Sequence, residues 1–490
     1  MSKGVRLVLT VLIALAASVG FNYLLLELSE RSLTDQVIMV GFLTLSLSYI
    51  LFSVWDAQGA DLPSWKSDVT PKKFTLRELM PGILLALVFF SIYLYYGLQL
   101  SITKVGLIDN LFDADIPSWQ RRIAGADVFD FEMRGPHPYT YFIVRPFGLF
   151  LNLITGDPLV SATLLNTIAG GAGVYLTWLF VKHRFENDIY ALLIAGLFGI
   201  STSHAFFSAV VETYIFSAFS LILFLYLLET RKGGTAALIA AGALTFGITM
   251  TNFVQNALAF LVMRPRWKEI FRFLAWTVSV SLILSYLHAA VYPASKLFLL
   301  SSSRDNEEKF FQEAIESDDW KISGRILLLE RTMVLYTVIA PNVFALDDEV
   351  GATIPQFSFY RVTPGTLAQS KYEGIADILV PLWMLMLLVS GMVIVWKIFQ
   401  TRRADMPLVF VLCLGFNFAL HLIYGKEPFL YSPNWAYALI FLIAYGMEPV
   451  SRNRFFQAGF LIFLALLAYN QWQFFAVVLN ALGPFLGAPT

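Results

Sequence analysis

The chain has 490 residues, of which 57% are hydrophobic, 16% aromatic and only 14% charged. A soluble protein carries about 25% charged residues, so composition excludes a water-soluble globule and predicts an all-α polytopic membrane protein whose outside largely faces lipid. A net charge of −1 offers nothing to attract nucleic acid, and the single Cys413, inside "MPLVFVLCLGFNF", excludes an intrachain disulfide.

Apolar windows of about 20 residues, enough to cross ~30 Å of hydrocarbon, recur along the chain, and Lys and Arg in the short loops orient them. The first, "VRLVLTVLIALAASVGFNYLLLEL", is too long for the apolar part of a cleaved signal. It reads as a retained helix over 5–28, with Lys3 and Arg6 placing the N-terminus in the cytoplasm. A second helix, 37–55, returns the chain to a loop with Lys66, Lys72, Lys73 and Arg77, and a third, 79–101, carries it outward. Basic clusters at 182–184, 231–232, 264–272, 401–403 and 451–454 all become cytoplasmic with spans near 159–181, 189–207, 213–229, 234–251, 252–263, 271–291, 376–397, 406–424, 434–449 and 455–478. The expected total is about 13 transmembrane helices.

Two further apolar stretches would invert the later loops if they crossed. "YTYFIVRPFGLFLNLI" (139–154) contains Arg145 and Pro146, and "RILLLERTMVLYTVIAP" (325–341) contains Glu330 and Arg331. Both are expected as helices lying in the outer interface. The result is one membrane domain over 1–490. Two N-terminal helices (1–78) precede a core (79–291) that holds a first outer loop at 102–158; a second outer loop (292–375) and C-terminal helices (376–490) follow.

The outer loops concentrate the chemistry. "DNLFDADIPSWQRR" (109–122) sets Asp109, Asp113 and Asp115 just past the third helix, where a carboxylate costs little to hold yet lies close to a lipid headgroup. Asp115 ahead of Pro117 also reads as a helix cap, and Asp113 as a solvated loop acid. "RGPHPYTYFIVRPFG" (134–148) adds His137 and Arg145, and "SHAFFSAVVETYIFS" (203–217) adds His204 and Glu212. "LIYGKEPFLYSPNWAY" (422–437) adds Lys426, Glu427, Tyr431 and Trp435. An ordinary interfacial belt accounts for single aromatic and polar residues of this kind. It accounts less well for Glu212, which lies between two apolar segments.

The acids after an early helix, the "HP" with aromatic neighbours and a following span that ends in basic residues together resemble the GT-C fold glycosyltransferase superfamily. Its members include protein O-mannosyltransferases and the aminoarabinose transferase of lipid A. The resemblance covers residues 80–270, and "FNFALHLIYGKEPFLYSPNW" is similar to a later outer loop of bacterial members. Here two N-terminal helices come before the helix that leads into the acid-bearing loop, where many members place that loop after their first helix. The resemblance implies a GT-C-like fold and transfer of a sugar from a polyprenyl-phosphate donor to an acceptor at the outer (periplasmic or extracellular) face of the inner or plasma membrane. It makes Asp115, or else Asp113, the base that takes the acceptor's proton. Arg145 and Lys426 would face the leaving phosphate, with Arg121 and Arg122 behind them. His137 would orient the loop or contact the sugar phosphate, Glu212 would bind acceptor or steady the base, and His204 and Tyr431 would line the substrate site. A divalent metal is used by some members and not by others; three carboxylates and His137 could supply ligands, but their spacing matches no known metal site, so no cofactor is assigned.

A transporter or lipid flippase is the rival reading. It would draw on "ITMTNFVQN" (248–256) and "LGFNFALHLIYG" (414–425), with Asn252, Gln255 and His421 along a substrate path. For a scaffold without chemistry the loops offer no positive sign.

Overall fold

In the computed structural model, the described residues are 3–57, 74–100, 111–126, 128–130, 133–230, 234–315, 322–346, 355–363, 366–401 and 405–486. They form eighteen α-helices and two small β-hairpins. Eight helices are long and apolar enough to cross a membrane. They are α1 (Lys3–Leu25), α2 (Leu33–Ala57), α3 (Leu76–Leu100), α6 (Pro158–Phe185), α12 (Trp267–Val291), α15 (Ala376–Thr401), α16 (Asp405–Ile423) and α18 (Arg454–Leu486). A ninth span arises if α7 (Asp188–Ile200) and α8 (Thr202–Ala209), bent by 62° at their junction, are taken as one. This is a multi-pass helical membrane protein. The expected count of about 13 goes beyond these eight or nine. The remaining expected spans form shorter helices: α9 (Tyr214–Thr230), α10 (Gly234–Ile248), α11 (Phe253–Met263) and α17 (Pro433–Gly446). At 1.5 Å per residue, the 14 residues of α17 reach about 21 Å.

The chain divides into two compact units. The first comprises 1–71, 126–146 and 227–309. In it α1 pairs with α2, α2 with α12, and α10 with α12. Tyr286 of α12 donates to the Met39 carbonyl of α2 at 2.7 Å, inside an apolar cluster of Leu26, Leu28, Met39, Leu43, Leu297 and Leu300. The Tyr139 hydroxyl donates to the Ala243 carbonyl at 2.5 Å and accepts from the Ser281 hydroxyl at 2.8 Å. Helix α13 (Ser301–Ile315) begins here, and Asp35 accepts both the N–H and the hydroxyl of Ser301 at its first residue. Arg134 grips Glu307 through two hydrogen bonds of 3.1 and 2.7 Å.

The second unit comprises 72–125, 147–226 and 310–490. Its axis is α6, whose inner positions from Ala162 to Val181 are largely buried. Asp157 caps α6 by accepting from Leu159 and Val160, with Pro158 in the first turn. Glu186 in the left-handed region (φ 52°) ends it, and Asn187 at once caps α7. This two-residue link makes α6 and α7 antiparallel neighbours.

Two charged ends result. At one, Lys182 pairs with Asp188 at 2.6 Å, Asn187 donates to the Ser451 carbonyl, and Lys397 pairs with Glu448 at 2.8 Å. The other lies beside Asn166, about 24 Å back along α6.

Around that second end lie short elements. Helix α4 (Ile116–Ala124) follows the acidic turn, and α5 (Thr140–Thr155) occupies the 139–154 stretch. Its half from Phe147 onward belongs to the second unit and exposes Phe147, Phe150, Leu153 and Ile154. The 325–341 stretch is helical, as expected, only in its first part. Helix α14 (Ile322–Arg331) passes into a π turn at Thr332–Tyr336, and Val338, Ile339 and Ala340 are buried. Gln471 and Asn470 of α18 satisfy this non-helical backbone: Gln471 donates to the Val338 carbonyl at 2.7 Å and accepts from Ala340, and Asn470 donates to the Ala340 carbonyl. Irregular backbone inside a membrane protein requires such partners. The hairpins were not foreseen in an all-α reading. They pair β1 (Phe344–Leu346) with β2 (Gln356–Ser358), and β3 (Tyr360–Thr363) with β4 (Thr366–Gln369), both antiparallel.

Candidate active site

The acid-bearing turn is held in an unusual backbone state. Phe112 and Asp113 both lie in the left-handed region, at φ 55° and 60°, which costs non-glycine residues roughly 1–2 kcal/mol each. Packing offsets that cost. The Phe112 N–H donates to the Phe357 carbonyl of β2 at 3.1 Å. Its fully buried ring lies 4.6–5.0 Å from Phe359, Phe429 and Phe206. With Phe112 locked inward, Asp113 is exposed.

Asp115 then opens α4, but not as a side-chain cap. Its carboxylate accepts no N–H of the helix, and Pro117 stands in the first turn. Instead its own backbone N–H donates to Glu212 Oε2 at 3.0 Å. The Asp115 carboxylate is half-buried and makes no hydrogen bond among the described residues. The side-chain capping account of Asp115 therefore fails, and among the described residues its acceptor capacity is uncommitted.

Glu212 sits in the break between α8 and α9, where Asn166 of α6 donates to the carbonyls of Phe207, Ser208 and Val210 at 2.9–3.0 Å. Glu212 Oε1 accepts from the Thr213 N–H at 2.7 Å and its hydroxyl at 3.0 Å. Burial, and then the charge of Asp115, push the Glu212 carboxyl up to about 8, against the pull of those hydrogen bonds. A neutral buried carboxyl beside an accessible carboxylate is how two adjacent acids take different roles.

The loop between α16 and α17 supplies the other wall. Arg325 of α14, wholly buried, donates to the carbonyls of His421 (2.6 Å), Lys426 (3.0 Å) and Gly425. It caps the C-terminal end of α16, where a cation also meets the negative end of the helix dipole. Tyr360 donates to the Lys426 carbonyl at 3.2 Å. The Lys426 ammonium itself is exposed and carries no ion pair among the described residues. Glu427 points inward, accepting from Ser358 at 2.7 Å and from the Phe429 N–H at 3.2 Å. Burial pushes its carboxyl up to about 7; the Asp113 charge adds to this and Arg325 opposes it. Tyr431 stacks on His421 at 4.3 Å and meets Tyr214 edge-on at 5.3 Å. Gly425, at φ 79°, is the left-handed residue that ends α16, and a Cβ there would run into the Tyr431 ring.

The expected residues thus fall into groups. Asp115 and Glu212 are in contact, Asp113 is near enough to Glu427 and Tyr360 to influence their ionisation, and Lys426 and Tyr431 share the loop pinned by Arg325. His204 is elsewhere in the second unit. It is buried on α8, its Nε2 is 3.0 Å from the Gly170 carbonyl, and its ring lies against Phe198 and Tyr93, so it supports helix packing rather than an open mouth. His137 and Arg145 belong to the first unit. His137 Nδ1 lies 2.6 Å from the Ile248 carbonyl, and Arg145 is buried on α5. Asp109 lies outside the described residues. Of the acid-rich segment's cations, Arg121 is exposed and Arg122 lies over the Trp119 ring at 4.9 Å. Among the described residues no three His, Cys, Asp or Glu side chains group closely enough to hold a metal ion.

Residues for which the sequence suggested no role complete the arrangement: Arg325, Ser358 and Tyr360. Arg325 had a faint signal, a cation heading the apolar run "RILLLER". Ser358 and Tyr360 had none, because the hairpins that carry them were not expected. No protein-family model matches this chain, and no curated protein matches its sequence.

Proposed function

We propose that this protein is a membrane glycosyltransferase of the GT-C kind that moves a sugar from a polyprenyl-phosphate donor to an acceptor hydroxyl at the outer face of the membrane. The observation that carries this reading is the Asp115 carboxylate, half-buried, free of hydrogen bonds among the described residues, and set against the buried Glu212. In the reaction Asp115 takes the acceptor's proton. The acceptor oxygen bonds to the anomeric carbon, and the bond from that carbon to phosphate breaks. Polyprenyl phosphate departs with the electron pair, and the exposed Lys426 is the cation assigned to meet its charge. Asp113 is the second candidate for the base.

Charge placement supports the outer assignment. In the second unit the acids lie at one end of α6, whereas Lys182 and Lys397 lie at the other, about 24 Å away. Basic ends favour the cytoplasm.

The test uses the full chain in lipid nanodiscs, supplied with polyprenyl-phosphate-linked hexoses one at a time, with release of polyprenyl phosphate as the readout. Asp115→Asn should lower release by about 100-fold or more while leaving the melting temperature nearly unchanged. Full release from both Asp115→Asn and Asp113→Asn would remove the assignment.

The bent α7–α8 pair favours a transporter as the second reading, since broken helices build many carrier sites. Against it, the backbone at this break is already occupied. Thr202 N–H donates to Val338 and Ser203 N–H to Thr337, and Gln471 bonds the Thr202 hydroxyl. In the first unit, Gln255 and Asn252 bond each other at 3.0 Å. Uptake into liposomes that is lost on Asn252→Ala or His421→Ala would favour the carrier.

A further inference from the structure

Glu427 is a buried acid with no role in the transfer described above. Its exposure is only 6%, and an acid so placed is costly to keep unless its oxygens are used. Both are. Oε1 accepts the Phe429 N–H, which closes the turn of its own loop, and Oε2 accepts the Ser358 hydroxyl, which reaches outside that loop to β2.

From Ser358 the connection is short. The adjacent Phe357 carbonyl accepts the Phe112 N–H at 3.1 Å, and Leu111 bridges the same residue. Phe112 is the first of the two left-handed residues, and Asp113 is the second. The rings on either side of this link are continuous: Phe112, Phe359 and Phe429 pack pairwise at 4.6–4.9 Å. A strained pair of this kind persists only where its surroundings over-determine it. Here the determinants include a backbone hydrogen bond from β2 and an aromatic cluster of Phe206, Phe359 and Phe429 drawn from three other segments.

We propose that Glu427 is a positioning residue for Asp113, acting through Ser358 and β2 to hold the 111–115 turn in its strained, acid-presenting form. The proposal rests on reading that turn as the acid-bearing segment of the site. Glu212 stands in the same relation to Asp115, through a direct bond to its N–H. Each acid of the turn is thus backed by a buried glutamate from a different loop. The charged and titratable groups around Glu427 are Asp113, Arg325 and Tyr360. Arg325 holds the loop that carries it from the far side, through the Lys426 carbonyl.

Hydrogen exchange on the purified full chain in detergent tests this without any substrate. In Glu427→Ala and in Ser358→Ala, the amides of 111–115 should exchange about tenfold faster, the effect of one lost hydrogen bond, while those of α6 keep their rates. Glu427→Gln keeps an oxygen to accept the Phe429 N–H and an amide N–H that the Ser358 hydroxyl oxygen can accept, and it should restore protection of the turn to within about twofold. That rescue separates a hydrogen-bonding role from mere filling of space. Unchanged exchange at 111–115 in Ser358→Ala overturns the proposal, as does a Glu427→Gln turn that exchanges as fast as the alanine variant. Ser358→Ala decides the matter if Glu427→Ala does not fold. A chain that transfers no sugar leaves this result standing, and a flat exchange result leaves the transfer reading standing.

Discussion

Glu212 and Glu427 hold their protons into the neutral range because burial penalises their charged forms more than their hydrogen bonds favour them. The sign of the consequence follows by linkage. In the unfolded chain both carboxyls ionise near the ordinary 4.5, whereas folded they do so at about 8 and about 7. Between these limits the folded protein binds more protons, so stability falls as pH rises from 4.5, until about 7 for Glu427 and about 8 for Glu212. Glu427→Gln should therefore flatten the decline of melting temperature between pH 5 and 7, removing a slope worth on the order of 3 kcal/mol, and Glu212→Gln should flatten it further towards pH 8. Melting curves across that range check both, and an unchanged slope in each variant would refute the assigned causes. Asp115 and Glu212 were legible in the sequence as acids beside apolar segments. Which of the two is buried was not, because that depends on Asn166 folding the α8–α9 break over Glu212.

At the scale of elements, small residues set how closely helices approach, as packing without a hydrophobic drive in lipid requires. Gly97 of α3 is one such point. A Cβ there would stand 2.9 Å from Thr163 of α6 and 3.0 Å from the Ala209 carbonyl at the end of α8, three residues before Glu212. Gly97→Ala should cost about 1–3 kcal/mol through overpacking, read as a lower melting temperature, and should also reduce transfer because it displaces the α8 end. An unaltered melting temperature would show that α3 and α8 can give way. Long helices such as α1, α3 and α15 were evident from their apolar length, as were the basic residues at their ends. The hairpins and the π turn were not. They are short, their side chains mix polar and apolar types, and their backbone bonds go to partners distant in sequence, such as Gln471 for the 338–340 segment.

For the whole molecule, sidedness is the question that function turns on. Cys413 is buried and the chain has no other cysteine, so a single introduced thiol reports its own position. Lys426→Cys and Arg452→Cys are both at exposed positions, beside the acids and at the basic end respectively. In intact cells a membrane-impermeant maleimide should label the first and spare the second, with labelling of Arg452→Cys appearing only after the membrane is opened. The reverse pattern would put the acids on the cytoplasmic side and end the outer-face reading.

By itself the sequence determined that this chain is built of apolar helical segments suited to lipid and located the longest of them, although four of the segments it marked as crossings form shorter helices. Those properties follow from local composition and from the cost of charge in hydrocarbon, and neighbours cannot change them. Only the tertiary structure decided that His204 is a packing residue and that Asp115 is not spent as a cap. The same holds for Arg325, Ser358 and Glu427, brought to the acidic turn from segments far from it in the chain. Burial and hydrogen-bond partners belong to the folded chain, and no spacing of residues along it encodes them singly.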